Sequence, residues 1–132
     1  MYKSAIIINP EMPTGLLANA VACITSGLFL DGKEYVGPEV EGDGIKYIQI
    51  TKIPILVLKP GNNTLIDLCK KAQATGLKYM AFTYEAQSTT NYGEYTNRVK
   101  GKKLEEINLI GLGIVGEEKL VNSIAGNLPM LR

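Results

Sequence analysis

The chain reads as an α/β domain, a three-layer α/β/α sandwich around a mixed sheet of four or five strands. Short apolar runs at residues 3–9, 53–58, 78–83 and 107–115 alternate with segments of helical pattern, which is the signature of that class. The first and last of these runs are apolar on both alternating faces, as in strands covered by helices on two sides. With 132 residues, 45% of them hydrophobic and 20% charged, the chain is the size of one domain over 1–132 and can bury its own core.

Residues 3–9 form the first strand, and the run Ile6, Ile7, Ile8 places it centrally in the sheet. Asn9 and Pro10 end it. Pro13, Thr14 and Gly15 lead into a helix that reaches about Gly27, with Thr14 as its expected N-cap. The polar side chains of this helix are few, Asn19, Thr25 and Ser26 among them. A helix that is small or apolar nearly all round is either sandwiched inside the protein or shared with a partner subunit, so a homodimer is expected. At 100° per residue Asn19 and Ser26 lie on nearly one face, with Ala22 and Cys23 between them, and that face can line a polar opening.

Residues 30–44 are rich in Gly, Asp and Glu without a sustained period, which predicts a long excursion with a short strand near Tyr35. Residues 45–50 are a strand or the approach to one, and 53–58 is a clearer strand. Leu65, Leu68, Cys69 and Ala72 follow the i, i+3, i+4, i+7 rule, so a second helix starts at Asn63 or Thr64 and closes at Gly76. Residues 78–83 (KYMAFT) make a strand, 84–91 a polar loop, and Tyr92, Tyr95 and Val99 a short helix ending at Gly101. The strand 107–115 is followed by a helix at 117–125 whose first turn holds Glu117 and Glu118. Gly126 ends it, and the tail NLPMLR is apolar enough to dock.

Composition bounds the function. A net charge of +1 supplies no general field for nucleic acid or membrane surfaces. The sequence has no histidine, and two cysteines alone make a zinc site unexpected, so neither metal nor cofactor is expected. Cys23 and Cys69 both read as reduced core residues on helices. No run approaches the roughly 20 apolar residues that span a bilayer, and the N-terminus is not laid out as a secretory signal, so a cytoplasmic location is expected.

Gly111-Leu112-Gly113-Ile114-Val115-Gly116 spells the dinucleotide fingerprint, but its glycines interleave with Leu, Ile and Val inside a strand pattern, and Glu117 and Glu118 would repel phosphate. Gly111 and Gly113, two apart, instead allow a helix or ligand to approach one strand face closely. The polar run EAQSTTN at 85–91 follows a strand end. In open α/β sheets ligands bind at the carboxyl ends of parallel strands, so the loops after Asn9 and Thr83 would meet there. Asn9, Asn19, Thr83, Glu85, Gln87, Ser88 and Thr89 are thus the candidate pocket residues. Glu85 is its one evident general acid or base, and no His or Lys stands near in sequence to activate Ser88 or Thr89. The basic run Arg98, Lys100, Lys102, Lys103 is followed by Glu105 and Glu106 and reads as a solvated surface.

The segments INPEMPTGLLANAVA, FTYEAQST and the C-terminal strand, helix and NLPMLR tail resemble a bacterial and archaeal family called domain of unknown function two thousand. That family is similar in fold to the type II peptidyl-tRNA hydrolases, which implies a mixed sheet between helical layers. Those hydrolases carry a glycine-lysine pair at the start of the first helix, where this chain has Gly15 and Leu16. Their catalytic aspartate falls near Thr83-Tyr84-Glu85, so Glu85 or Thr83 would be the catalytic candidates. Binding of a small polar ligand at the mouth of the first βα unit, through Asn9, Asn19, Gln87, Ser88 and Thr89, is the expectation. A peptidyl-tRNA hydrolase-like or other ester hydrolase, which would bring tRNA in as a partner, and a non-enzymatic interaction subunit are the alternatives.

Overall fold

The computed structural model describes residues 1–132. In chain order the elements are β1 (Tyr2–Ile8), α1 (Thr14–Leu28), β2 (Val40–Glu41), β3 (Lys46–Tyr47), β4 (Ile55–Leu58), α2 (Leu65–Thr75), β5 (Lys78–Thr83), α3 (Tyr84–Gln87), α4 (Tyr92–Val99), β6 (Leu109–Glu117) and α5 (Glu118–Ala125). The main sheet has the order β4-β1-β6-β5, and β2 with β3 forms a separate two-stranded ribbon. β1 pairs parallel with β4, while β6 runs antiparallel to both β1 and β5. β1, β4 and β5 therefore point the same way, and their carboxyl ends share one end of the sheet.

The two-sided apolarity of β1 is used in full. Ile6 and Ile8 face α1 in a cluster with Ala20, Ile24 and Phe82. Ala5 and Ile7 face α2 and α5, together with Leu68, Cys69, Val121 and Ile124. The three layers are thus α1, the sheet, and the α2/α5 pair. Full burial of each large aliphatic side chain contributes roughly 1.5–3 kcal/mol, so these two clusters supply most of what holds the layers together. Ser4, the one fully buried polar residue of β1, donates its hydroxyl to the Pro54 carbonyl at 2.9 Å and so carries no desolvation penalty.

Gly111 and Gly113 set the height of α1 above the sheet. They pair with Ile8 and Ile6 across the ladder, and a Cβ at Gly111 would stand 2.6 Å from Ile24 Cδ1. A Cβ at Gly113 would strike Ile24 Cγ2. The fingerprint glycines thus lie inside β6; Gly111 and Gly113 make room for a helix, and Gly116 for the Leu77 side chain.

Several boundaries differ from the sequence pattern. Pro13 holds the N-cap position and Thr14 is already helical; no side chain caps this helix. The fixed φ of proline ends the turn one residue earlier than a threonine cap would. Around Tyr35 there is a 3₁₀ turn, Lys33–Tyr35, because the buried Tyr35 ring packs edge-on against Tyr2 and Phe29, at 5.3 and 5.9 Å. Of residues 45–50 only Lys46 and Tyr47 pair as a strand. β6 continues through Glu117, which pairs with Tyr2, so α5 begins at Glu118. The polar loop 84–91 opens with the one-turn helix α3. The C-terminal tail does dock: Lys59 N–H bonds to the Pro129 carbonyl and Leu131 N–H to that of Val57, which covers the open edge of β4. No helix is long and apolar enough to cross a membrane.

Candidate functional site

The carboxyl end of the sheet carries a hollow on each side and a third between the loops after β1 and β4, lined by Pro10, Glu11, Lys59 and Pro129 among others. On the α1 side, strand alternation in β5 turns Met80 and Phe82 toward α1. Thr83 ends the strand and caps α3, its hydroxyl accepting from Ala86 N–H at 3.1 Å. The chain then turns over the strand end and enters α4, capped by Asn91, whose side chain accepts from Glu94 N–H at 3.0 Å. Between these elements lies a cleft of about 270 Å³ lined by Met80, Phe82, Ala86, Thr89, Thr90, Asn91, Tyr92 and Tyr95. Met80, Phe82 and Ala86 are its apolar side. Tyr92 and Tyr95 meet edge to face, with centroids 5.4 Å apart and planes at 76°, and give it an aromatic wall.

The loop over this cleft is held by a run of side-chain bonds from Ser88 through Arg98 and Glu94 to Thr89, closed into a ring by the backbone between Ser88 and Thr89. Arg98 donates from Nη1 to Ser88 Oγ at 2.9 Å and from Nη2 to Glu94 Oε1 at 2.5 Å. Thr89 Oγ1 donates to Glu94 Oε2 at 3.1 Å. The Arg98 guanidinium, and then the Thr89 hydroxyl, hold the Glu94 carboxyl below its ordinary range by bonding its charged form. A second tie joins the loop to α1: Gln87 Nε2 donates to the Leu16 carbonyl at 2.8 Å and to Asn19 Oδ1 at 3.2 Å.

On the other side, Asn9, Pro60, Asn63, Thr64, Leu65, Ile66, Ile107, Asn108 and Leu109 line a shallower hollow of about 390 Å³. It faces the first turn of α2, where Thr64 caps by accepting from Asp67 N–H. Asn9 spends its side-chain oxygen on Glu11 N–H at 3.0 Å. Glu85 receives two bonds from Asn108, from N–H at 3.2 Å and from Nδ2 at 3.4 Å, and so fastens α3 to the start of β6. At that start the β5/β6 register slips between Phe82 and Thr83, a bulge of the kind that re-aims chains near sites.

The seven residues singled out in the sequence fall in three places. Thr89 lines the aromatic cleft; Gln87 and Ser88 belong to the loop that leads to it, and Asn19 meets that loop from α1 through Gln87. Asn9 and Glu85 belong to the far hollow and its rim, across the lead-in of β6. Thr83 is buried beneath α3 as its cap. The sequence pattern missed Met80, Phe82, Tyr92, Tyr95 and Arg98. Two signals pointed to four of them: the period-two alternation of KYMAFT, and the i, i+3 spacing of the tyrosines on α4. The cleft lining carries no ionisable group except the two phenols, so what it offers is an apolar surface, ring faces and neutral hydrogen-bonding groups.

Among curated proteins none matches this chain. In three dimensions it is similar to a protein of unknown function from Agrobacterium tumefaciens strain C58, Atu0240, with a TM-score of 0.86 and 15% identity over 98% of this chain and 96% of that one. At that identity the likeness concerns the fold: the same layered α/β arrangement. A family model described as "Protein of unknown function (DUF2000)" matches residues 2–132, and the chain belongs to that family.

Proposed function

We propose that the cleft over Met80 and Phe82 binds a small neutral molecule with a flat apolar part and a hydrogen-bonding end, in a protein that works in the cytoplasm. One observation carries this reading: an apolar and aromatic hollow stands open at the carboxyl end of β5, under a loop fixed by the Ser88, Arg98, Glu94 and Thr89 ring. Pockets of this chemistry bind by excluding water from apolar surface and orient the ligand with a few polar groups. Tyr92 and Tyr95 offer ring faces or edges, while Thr90 and Asn91 stand on the polar side. Asn19, Gln87 and Ser88 act on the walls, since their hydrogen bonds are made to the protein. Both thiols are free, which suits a reducing compartment.

A thermal-shift series tests the binding reading. Neutral aromatic amides should raise the melting temperature in a saturable way, and sugars and inorganic phosphate should not. Tyr95→Ala should remove the response. A flat response across the aromatic amides, or an equal response in Tyr95→Ala, would dispose of the cleft as the site.

A further inference from the structure

We infer that the ribbon formed by residues 38–50 is a clasp for a second copy of this chain, laid along the outer face of that copy's α1. All thirteen residues 38–50 are exposed, an unbroken stretch that includes five large apolar side chains: Val40, Ile45, Tyr47, Ile48 and Ile50. Ile48 and Ile50 are each 75% exposed. Only the root is tied down, where Gly37 N–H bonds to the Ile50 carbonyl and Lys52 N–H to that of Tyr35. Beyond it the ribbon is two strands held by Val40 opposite Tyr47 and Glu41 opposite Lys46.

An isolated two-stranded ribbon is marginal in water, and this one carries apolar groups on both faces. Val40 and Tyr47 are paired and so share one face, while Ile48, next in the chain after Tyr47, turns to the other. Covering both faces requires another surface. The exposed area of the five side chains comes to about 600 Å², close to the roughly 800 Å² per partner of a standard interface.

A second copy supplies the missing area. The outer face of α1, where Ala18, Asn19, Ala22 and Ser26 are exposed, is uncharged, as is the whole helix from Thr14 to Leu28. It is about 22 Å long at 1.5 Å per residue, and the ribbon projects roughly 20 Å beyond its root. The two surfaces are continuous, since a hollow lined by Phe29, Leu30, Val36 and Gln49 joins the end of α1 to the base of the ribbon. Reciprocal clasping then gives a closed two-fold pair in which each copy lends one ribbon and one helix. With a net charge of +1 the copies do not repel at long range.

Sedimentation equilibrium of the full chain at micromolar concentration tests this. The wild type should sediment at twice the 14.3 kDa chain mass. The double variant Tyr47→Asp, Ile48→Asp puts a charge on each face of the ribbon and should weaken the pair about a hundredfold, leaving single chains with unchanged circular dichroism. Ala22→Asp, on the exposed face of α1, should do the same, whereas Lys119→Asp on α5 should leave the pair intact. A monomeric wild type, or variants of ribbon and helix that remain paired, would overturn the inference. A wild type that is monomeric alone but pairs with another protein would equally overturn it, and would assign the ribbon to that partner.

Discussion

Adding one methyl group to β6 should lift α1 off the sheet, and the two glycines should differ in how this is relieved. At Gly113 a Cβ would strike Ile24 Cγ2 and lie 3.2 Å from Leu28 Cδ2. Cγ2 is one bond from the Ile24 Cβ, so no rotation of the outer side chain clears it and the helix itself must move. Overpacking of this kind costs about 1–3 kcal/mol, against a gain of roughly 0.5–1 kcal/mol from replacing a strand glycine. Gly113→Ala should therefore lose about 1–1.5 kcal/mol net, or roughly 5 °C in Tm for a domain of this length. At Gly111 the obstacles are the terminal methyls Ile24 Cδ1 and Ile8 Cδ1, at 2.6 and 2.8 Å. These can swing aside, so Gly111→Ala should cost less than about 1 kcal/mol. The partner substitution Ile24→Val separates the two cases, because it removes Cδ1 and keeps both Cγ positions. On that background Gly111→Ala should lose part of its cost, with only Ile8 Cδ1 still to swing aside, while Gly113→Ala keeps its full cost. Urea unfolding of the three single and two double variants, read by circular dichroism, gives the coupling energies. A stabilising Gly113→Ala, or equal rescue of both glycines by Ile24→Val, would refute the seating of α1 on these residues.

Three further outcomes follow from the same structure. Because the Glu94 carboxyl is depressed in the folded state, the ring it closes contributes stability that is present above the ordinary carboxyl value of 4.5 and lost as pH falls through the lowered folded value; NMR titration should show Glu94 protonating late, and Arg98→Gln should return it toward 4.5. Thr83→Val keeps the volume but removes the cap bond to Ala86 N–H, so it should cost about 1 kcal/mol in denaturation while Thr83→Ser costs little, and equal losses would show that the hydroxyl is not the cap. Cys69 is buried and its thiol is pushed up by desolvation, whereas Cys23 is half-exposed, so a thiol reagent at neutral pH should label Cys23 first and reach Cys69 only on unfolding.

The layered fold was legible because periodicity reports burial directly. Ile6, Ile7 and Ile8 announce a strand covered twice, and Leu65, Leu68, Cys69 and Ala72 announce one buried helix face. The close helix approach at Gly111 and Gly113 was legible for a related reason, since two missing side chains on one strand face leave a space that something must fill. α1 was harder to read: Ala18, Ala22 and Ser26 are compatible with a covered face or a bare one, and the structure leaves them exposed. The candidate pocket was grouped by strand direction, and the direction holds, because β1 and β5 are parallel. What the pattern does not encode is that β6 lies between them, which sends Asn9 to one side of the sheet and Thr89 to the other. The aromatic wall was hidden for a different reason: Tyr92 and Tyr95 look like an ordinary helix face until α4 is seen standing over Met80 and Phe82.

Binding in the aromatic cleft is tested most directly by methyl NMR of protein labelled at the methionine ε-carbons and titrated with benzamide, whose ring and amide match the apolar and polar sides of the lining. Met80 lines the cleft, whereas Met1 and Met130 do not. The Met80 resonance should shift with saturation, Met1 and Met130 should stay fixed, and Tyr95→Ala should abolish the shift. A Met80 resonance that does not move at millimolar benzamide, or one that moves equally in Tyr95→Ala, would mean that the cleft is not a binding site.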